Sequence, residues 1–456
     1  MSATTIRPTN LILFLALIIL FSFISFVAAN TAFIVTNEIY YGVTVADIPV
    51  GGLSVKEAEQ KIREAIVTRI SQPIKLNYND KSWPISSQDI NIAVDASLLA
   101  QEAYEVGRKG NIFQQLQERY LTVNRGYTIP IAVSYDAVKL RNILLAIGQS
   151  IDTNAQNAFV SYNGSEVTII PEIIGKKLNI TKTLEDINTQ FNNQFSFSIS
   201  LAVDEIAPLI YAADLASIDS LITSYSTQFD VLNSNRSENI RLAAQSINGM
   251  LVRQGEVFSF NRIVGPRLVE YGYKEAPVFI EGKIVPDWGG GVCQVSSTLY
   301  NAILLADMDI EERTSHFYPP GYVPIGQDAT VADNLLDFKF KNSTSANIYI
   351  KSEISGNQLN IYILGKRMEN RPAIQVIAVD TKVIEPKTII KQDITLDLGK
   401  QITEVEGQKG FQVTTLRIKK LNDKEISREL LASDEFKPID KVIRVGTKAL
   451  PQQNSK

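Results

Sequence analysis

Residues 11–29, LILFLALIILFSFISFVAA, withdraw themselves from any water-soluble core. Two serines are the only polar residues of the run, and no charge occurs between Arg7 and Glu38. At ~1.5 Å per residue a helix of this length nearly crosses a ~30 Å hydrocarbon core. Arg7 precedes the run and no Lys or Arg follows until Lys56, a bias that leaves residues 30–456 outside the cell. The expectation is a cytoplasmic stub and transmembrane anchor over residues 1–37, with the N-terminus inside. Val27-Ala28-Ala29 also fits a signal-peptide cleavage site, so a secreted chain is the alternative. No second stretch is apolar enough to span.

The rest of the 456-residue chain is long enough for two to four domains with their own cores. A net charge of −4 and the lack of a dense Lys/Arg stripe argue against a nucleic-acid partner. One cysteine excludes an intrachain disulfide, and one cysteine with one histidine cannot make a Cys/His zinc site. The acidic DMDIEE at 307–312 lacks the glycine and spacing of a calcium loop and reads as a solvated turn. Neither a metal nor a cofactor is expected.

Residues 43–66 read as an extended piece, a Gly-Gly turn and a helix opened by a Ser54/Glu57 capping box, with Ala58, Ile62, Ala65 and Ile66 on one face. Segments 75–104 and 159–188 share one layout: a strand ending Tyr-Asn, a tight turn, a returning strand, a connector and an amphipathic helix. The Asn163-Gly164 turn is the sharpest hairpin signal, and Leu184, Ile187 and Phe191 mark the buried side of the second helix. Two α+β repeats thus fill residues 38–205, followed by a connecting region, 206–229. Ser237 then opens a helix whose Ile240, Ala243, Ala244, Ile247 and Leu251 share a face, with Gly249 near its C-terminal end. GEVFSFN reads as a strand, and Gly356-Asn357 joins two alternating stretches, ANIYIKSEI and QLNIYILG, as a hairpin. Residues 375–450 alternate apolar and polar residues with scattered glycines, as in a small all-β module. The fold class expected is multi-domain α+β: a transmembrane helix, two α+β repeats, a mixed α+β domain over 230–367 and the all-β module.

ENIRLAAQSINGMLVRQGEVFSFNRIVGPR, GGGVCQVSSTLYNAILLA, HFYPPGYVPIGQDATV and LDFKFKN resemble successive blocks of the VanW domain, in matching order and spacing. GGLSVKEAEQKI and IIPEIIGKKLN are similar to the peptidoglycan-binding domain that commonly precedes it. VEGQKGFQVTTLRIKKLNDKEISRELL and VIRVGTK resemble the five-glycine (G-five) domain of bacterial surface proteins. These resemblances imply a bacterial cell-envelope protein with peptidoglycan, or another cell-wall glycan or peptide, as its partner. They also imply a family whose members accompany some glycopeptide-resistance gene sets.

The residues themselves raise a chemical question at 288–328. Gly289, Gly290 and Gly291 stop helix formation, and Val292, Val295, Leu299, Ala302, Ile303 and Ala306 recur at helical spacing beyond them. Cys293 then lies in the first turn, where the positive helix end and unpaired N–H groups favour a thiolate. Those N–H groups, with the glycines and Gln294, form the expected binding side of the site for an oxyanion or a substrate backbone. His316 is the sole imidazole available as a base, and Asp328 or, as second choice, Asp337 would orient it. Trp288 would flank the thiol or stack on a sugar, and Phe317, Tyr318 and Tyr322 are further stacking candidates. Asn248, Glu256, Arg241 and Arg267 would line a cleft or simply solvate a helix, and the hydroxyls at 296–298 would cap or face solvent. Cysteine, helix, then histidine and aspartate from later strands resembles the order in transglutaminase-like and papain-like folds, although the Cys-to-His interval here is shorter. Two readings stand side by side. In one, Cys293, His316 and Asp328 carry a cysteine-dependent amidase or transpeptidase-like activity on wall peptides. In the other, Cys293 is a small apolar residue within a non-catalytic wall-binding or adhesive scaffold.

Overall fold

The computed structural model of the chain describes residues 8–34, 36–193, 198–280 and 283–448. They fall into two compact units, Met1–Ala155 with Ile174–Ala207, and Gln156–Ile173 with Pro208–Lys456.

The first unit starts with a helix, Pro8–Ile34. Its side chains are described for residues 12–25 only, all exposed, and residues 11 and 26–29 of the expected apolar run lie outside that range. Among the described residues no helix is long and apolar enough to cross a membrane, so the transmembrane expectation rests on sequence alone. The helix Val55–Ile70 begins where its capping box places it, with Glu57 N–H donating to Ser54 Oγ and Ser54 N–H donating to Glu57. It buries Ala58, Ile62 and Ile66 against Leu99, Ala100 and Ala103 of the helix Ala96–Glu105. A second core gathers the hairpin Ile74–Tyr78/Lys81–Ile85, turned at Asn79 (φ +52°), with Leu140, Leu144, Ile187 and Phe191 from two further helices. The second repeat is divided. Its helix Ile180–Asn193 stays here, while its hairpin, Phe159–Tyr162 with Val167–Ile170, belongs to the other unit. There Ala158 and Val160 share a core with Leu215, Ile218, Tyr349 and Leu364. The hairpin loop spans four residues, and the Asn163 side chain closes it by accepting from Ser165 and Glu166 N–H.

The second unit holds two long helices, α1 (Ser234–Ile247) and α2 (Val292–Leu305). After the hairpin just described, its next nine strands are β1 (Ser220–Gln228), β2 (Met250–Val252), β3 (Val257–Ser259), β4 (Glu275–Ile280), β5 (Lys283–Trp288), β6 (Asp309–Glu312), β7 (Lys339–Lys341), β8 (Ile348–Ser355) and β9 (Gln358–Gly365). An antiparallel sheet runs β1-β9-β8-β2, a second runs β3-β7-β6, and β4 pairs with β5 as a ribbon leading into the glycines before α2. The α2 helix is buried on all sides, which suits an apolar helix at the centre of a domain. Val295, Leu299 and Ile303 share one core with Ile240, Ala243 and Ala244 of α1 and with Ile361 and Ile363 of β9.

Several local expectations are corrected. The α1 helix starts one turn before Ser237, because Asn233, an equally good cap, accepts from Arg236 N–H. Leu251 leaves the helix for β2, since Gly249 turns the chain at φ +84°. DMDIEE is no solvated turn: Met308 is fully buried and 309–312 form β6.

The all-β tail forms two three-stranded sheets from β10 (Ala373–Ile384), β11 (Thr388–Asp397), β12 (Gln401–Val405), β13 (Gly410–Leu421), β14 (Lys424–Phe436) and β15 (Lys441–Lys448). Their orders are β10-β13-β14 and β11-β15-β12. Val376 of β10 and Leu431 of β14 pack against the core built around α2.

Candidate functional site

Cys293, Ser296, Ser297, Tyr300 and Asn301 recur along one face of α2 at three- and four-residue intervals. All but the partly buried cysteine are buried, so this polar stripe must find partners inside the domain. It finds them in the extended segment 327–331. Asn301 donates to Gln327 O at 2.7 Å, Ser296 Oγ donates to Ala329 O at 2.6 Å, and Ala329 N–H donates to Ser297 Oγ at 2.9 Å. Cys293 Sγ lies 3.4 Å from Val331 O. Of the hydroxyls expected to cap or face solvent, those of Ser296 and Ser297 are therefore clamps holding this segment on the helix, while Thr298 Oγ1 donates to Gln294 O.

The clamped segment carries Asp328, which is fully buried. After β6 returns the chain from the far end of α2, Thr330 N–H donates to Thr314 O at 2.8 Å, laying 313–316 beside 328–331. His316 Nδ1 and its backbone N–H both meet Asp328 Oδ2 at 2.6 Å. With Nδ1 so engaged, Nε2 faces Tyr322 OH at 3.4 Å, and the Cys293 sulfur is near enough to the ring for each to shift the other's charge. The imidazole side chain is 20 % exposed. Thiol, imidazole and carboxylate thus stand in sequence. Asp337, the second choice, lies elsewhere, accepting from Ser259 Oγ and Asn261 N–H.

Electrostatics separates charge along this line. Burial pushes the His316 pKa down, but the hydrogen bonds to Asp328 and Cys293 and their charges overcome it, raising it to about 9. Burial pushes the Cys293 thiol up, and the hydrogen bond and charge of His316, helped by Arg267, carry it below its ordinary value of 9.0. Asp328 is held low against burial by His316 and Arg313. Burial and the neighbouring sulfur charge keep Tyr322 a phenol. Both shifts act in the same direction, toward a thiolate beside an imidazolium.

The three glycines turn out to admit the protein's own atoms. A Cβ on Gly291, which sits at φ +108°, would lie 2.9 Å from Arg236 Cγ; on Gly289 it would meet Arg267, and on Gly290 the Ala276 carbonyl. Gln294, placed on the binding side of the site by the sequence, is only 1 % exposed. Its carbonyl accepts from Arg236 and its amide donates to Thr227 Oγ1 and Gln228 O, leaving nothing for a ligand. Trp288 is 42 % exposed at the end of β5 and Phe317 is 54 % exposed. Arg241 and Asn248 line a groove of about 640 Å³ between α1 and β8, whereas Glu256 and Arg267 do not, and Cys293 is not among its lining residues. Arg267 is instead buried, paired with Asp333 and bonded to Asn261. Among the described residues no group of three or more His, Cys, Asp or Glu side chains could hold a metal ion. Arg313 and Arg236 escaped the sequence reading. The signal that would have found them is the polar stripe on α2, which demands buried partners.

Fold and site together define a multi-domain α+β protein in which one domain carries a helix-start cysteine and a carboxylate-held histidine and an all-β module follows. The VanW like protein family model matches residues 235–364, the peptidoglycan binding domain model 83–196 and the G5 domain model 376–448. "Uncharacterized protein YoaR" of Bacillus subtilis (strain 168) is 34 % identical over 253 residues, covering 55 % of this chain and 82 % of that one. "Vancomycin B-type resistance protein VanW" of Enterococcus faecalis (strain ATCC 700802 / V583) is 33 % identical over 138 residues, 29 % of this chain and 50 % of that one. Among solved structures, the IgA1 protease G5 domain is 26 % identical, covering 18 % of this chain and 96 % of that domain with a TM-score of 0.14. The chain belongs to the VanW family, and its domain set is consistent with a cell-wall-associated protein.

Proposed function

We propose that this is a membrane-anchored, extracellular envelope protein whose Cys293 attacks an amide carbonyl in a peptidoglycan stem or cross-bridge peptide. The observation that carries the reading is His316 bonded to buried Asp328, with the helix-start Cys293 beside the ring. The lowered thiol, facing a cationic imidazole, supplies the nucleophile as a thiolate. The thiolate forms a C–S bond to the carbonyl carbon, and the positive end of α2 stabilises the developing oxyanion, the Val292 and Gln294 N–H groups being already bonded to Gly289 O and Gly291 O. As the C–N bond breaks, His316 gives its proton to the leaving amine. Water, deprotonated by His316, then cleaves the thioester to an acid and restores the thiol; an amine in place of water gives transpeptidation. Asp328 keeps the imidazole in the required tautomer throughout. The regions matching peptidoglycan-binding and G5 models hold the wall, and residues 11–29 tether the chain to the membrane.

The second reading, a non-catalytic wall receptor, draws on the groove beside α1 and on exposed Trp288 and Phe317. One experiment separates the two. The detergent-solubilised chain and its Cys293→Ser variant are incubated with purified sacculi and soluble muropeptides, and both bound protein and released peptides are measured by mass spectrometry. Catalysis is expected to fall about a hundredfold or more in the variant, while sacculus binding persists. Equal cleavage by both forms, or none by either, leaves only the receptor.

A further inference from the structure

The line of charges does not end at Asp328. Arg313 Nη2 donates to Asp328 Oδ1 at 3.0 Å and its Nε donates to Asp328 O at 2.6 Å. The same guanidinium turns its other nitrogen, Nη1, to both carboxylate oxygens of Asp434 at 2.8 and 2.7 Å. Asp434 lies on β14, in the C-terminal module. All three side chains are nearly out of solvent: Arg313 is 6 % exposed, Asp328 0 % and Asp434 9 %. The loop between them is seated on the module at further points. Thr415 Oγ1 donates to Gly326 O at 3.3 Å, and Lys437 N–H donates to Phe317 O at 3.0 Å while its ammonium lies over the Phe317 ring.

We propose that the C-terminal β-module completes the thiol site, with Asp434 and Arg313 acting as positioning residues that hold Asp328, and through it the His316 ring, against Cys293. The inference rests on the thiol reading above. A planar guanidinium with a fixed fork of donors can bind two carboxylates in one plane, which an ammonium cannot do. Asp434 also neutralises Arg313, so Asp328 keeps its negative charge available to the imidazolium. The module that matches the G5 domain is then part of the reaction centre as well as a wall-facing element.

The test reads the thiol in the full, solubilised chain by its rate of alkylation with iodoacetamide as a function of pH. Cys293 is faced by His316, Tyr322, Arg267 and Arg236, none of which is altered. Arg313→Lys and Asp434→Glu preserve net charge but break the fork. Each is expected to move the thiol midpoint upward by about half a unit or more, slowing alkylation at pH 6 about threefold or more. Asp434→Asn keeps the shape and discriminates by sign: lost positioning raises the midpoint, whereas a purely electrostatic role lowers it by adding positive potential. Profiles that superimpose on the unaltered chain, or a lowered midpoint in Asp434→Asn, overturn the inference. So does wholesale unfolding of all three variants by circular dichroism, since the chain of charges would then hold the fold rather than the ring. An ordinary thiol midpoint in the unaltered protein is a different failure, and it removes the catalytic reading itself.

Discussion

Two opposed effects meet at Cys293: burial disfavours its charge, and a histidine held cationic from behind favours it. Because the second effect wins, alkylation of the unaltered thiol is expected to proceed below the ordinary thiol range, while His316→Ala returns the midpoint toward 9.0. A one-unit rise corresponds to about a tenfold slower reaction on the acid side, read from the pH profile. Stability should carry the same signature. A histidine raised from 6.5 to about 9 stabilises the fold fully below about pH 6.5 and loses that contribution as pH rises through about 9. Cys293 has the opposite sign, contributing above its unfolded value and losing it as pH falls through its lowered one. The stability gap between the unaltered chain and His316→Gln is therefore expected to be largest near pH 6, at most about 3 kcal/mol, and to close toward pH 10. Urea unfolding at both pH values measures it, and a gap that widens with pH refutes the assignment.

The decisive element is α2, where an apolar face and a polar stripe share one buried helix. The apolar face was legible from spacing: Val292, Val295, Leu299, Ala302, Ile303 and Ala306 are all buried. The stripe was not, because isolated hydroxyls on a helix read as caps or solvent groups until the partner segment is in place. Ser297→Ala removes the acceptor of Ala329 N–H and is expected to cost about 1–3 kcal/mol, the penalty of a buried donor left unpaired, measured by denaturant unfolding. It should also slow alkylation of Cys293, since Asp328 precedes the clamped residue. Gly291→Ala places a methyl at φ +108° against Arg236 and Ile240, and a fall in thermal midpoint of several degrees is expected. A midpoint equal to that of the unaltered chain would show that the helix start relaxes freely. The capping box at Ser54 and the turn at Asn79 were readable because each depends only on residues within a few positions.

On the scale of the molecule, the division into two units does not follow the repeats, since the hairpin 159–170 joins the thiol-bearing unit and its helix does not. Val376, Leu431 and the Arg313–Asp434 pair join the C-terminal module to the core around α2, so calorimetry is expected to show these two melting in one transition. A separate low-temperature transition lost on deleting residues 373–448 would contradict this. Whatever depends on neighbours along the chain was open to reading from the sequence: the apolar run at 11–29, the strand and turn rhythm of the tail, the helix following three glycines, and the family. Pairings between separate segments were decided only by the tertiary structure. Nothing local distinguishes Asp328 from Asp337 as the partner of His316, and nothing near Arg313 announces Asp434, 121 residues away. A buried charge takes its partner from whichever chain segment the packing delivers, and that delivery is a property of the folded core.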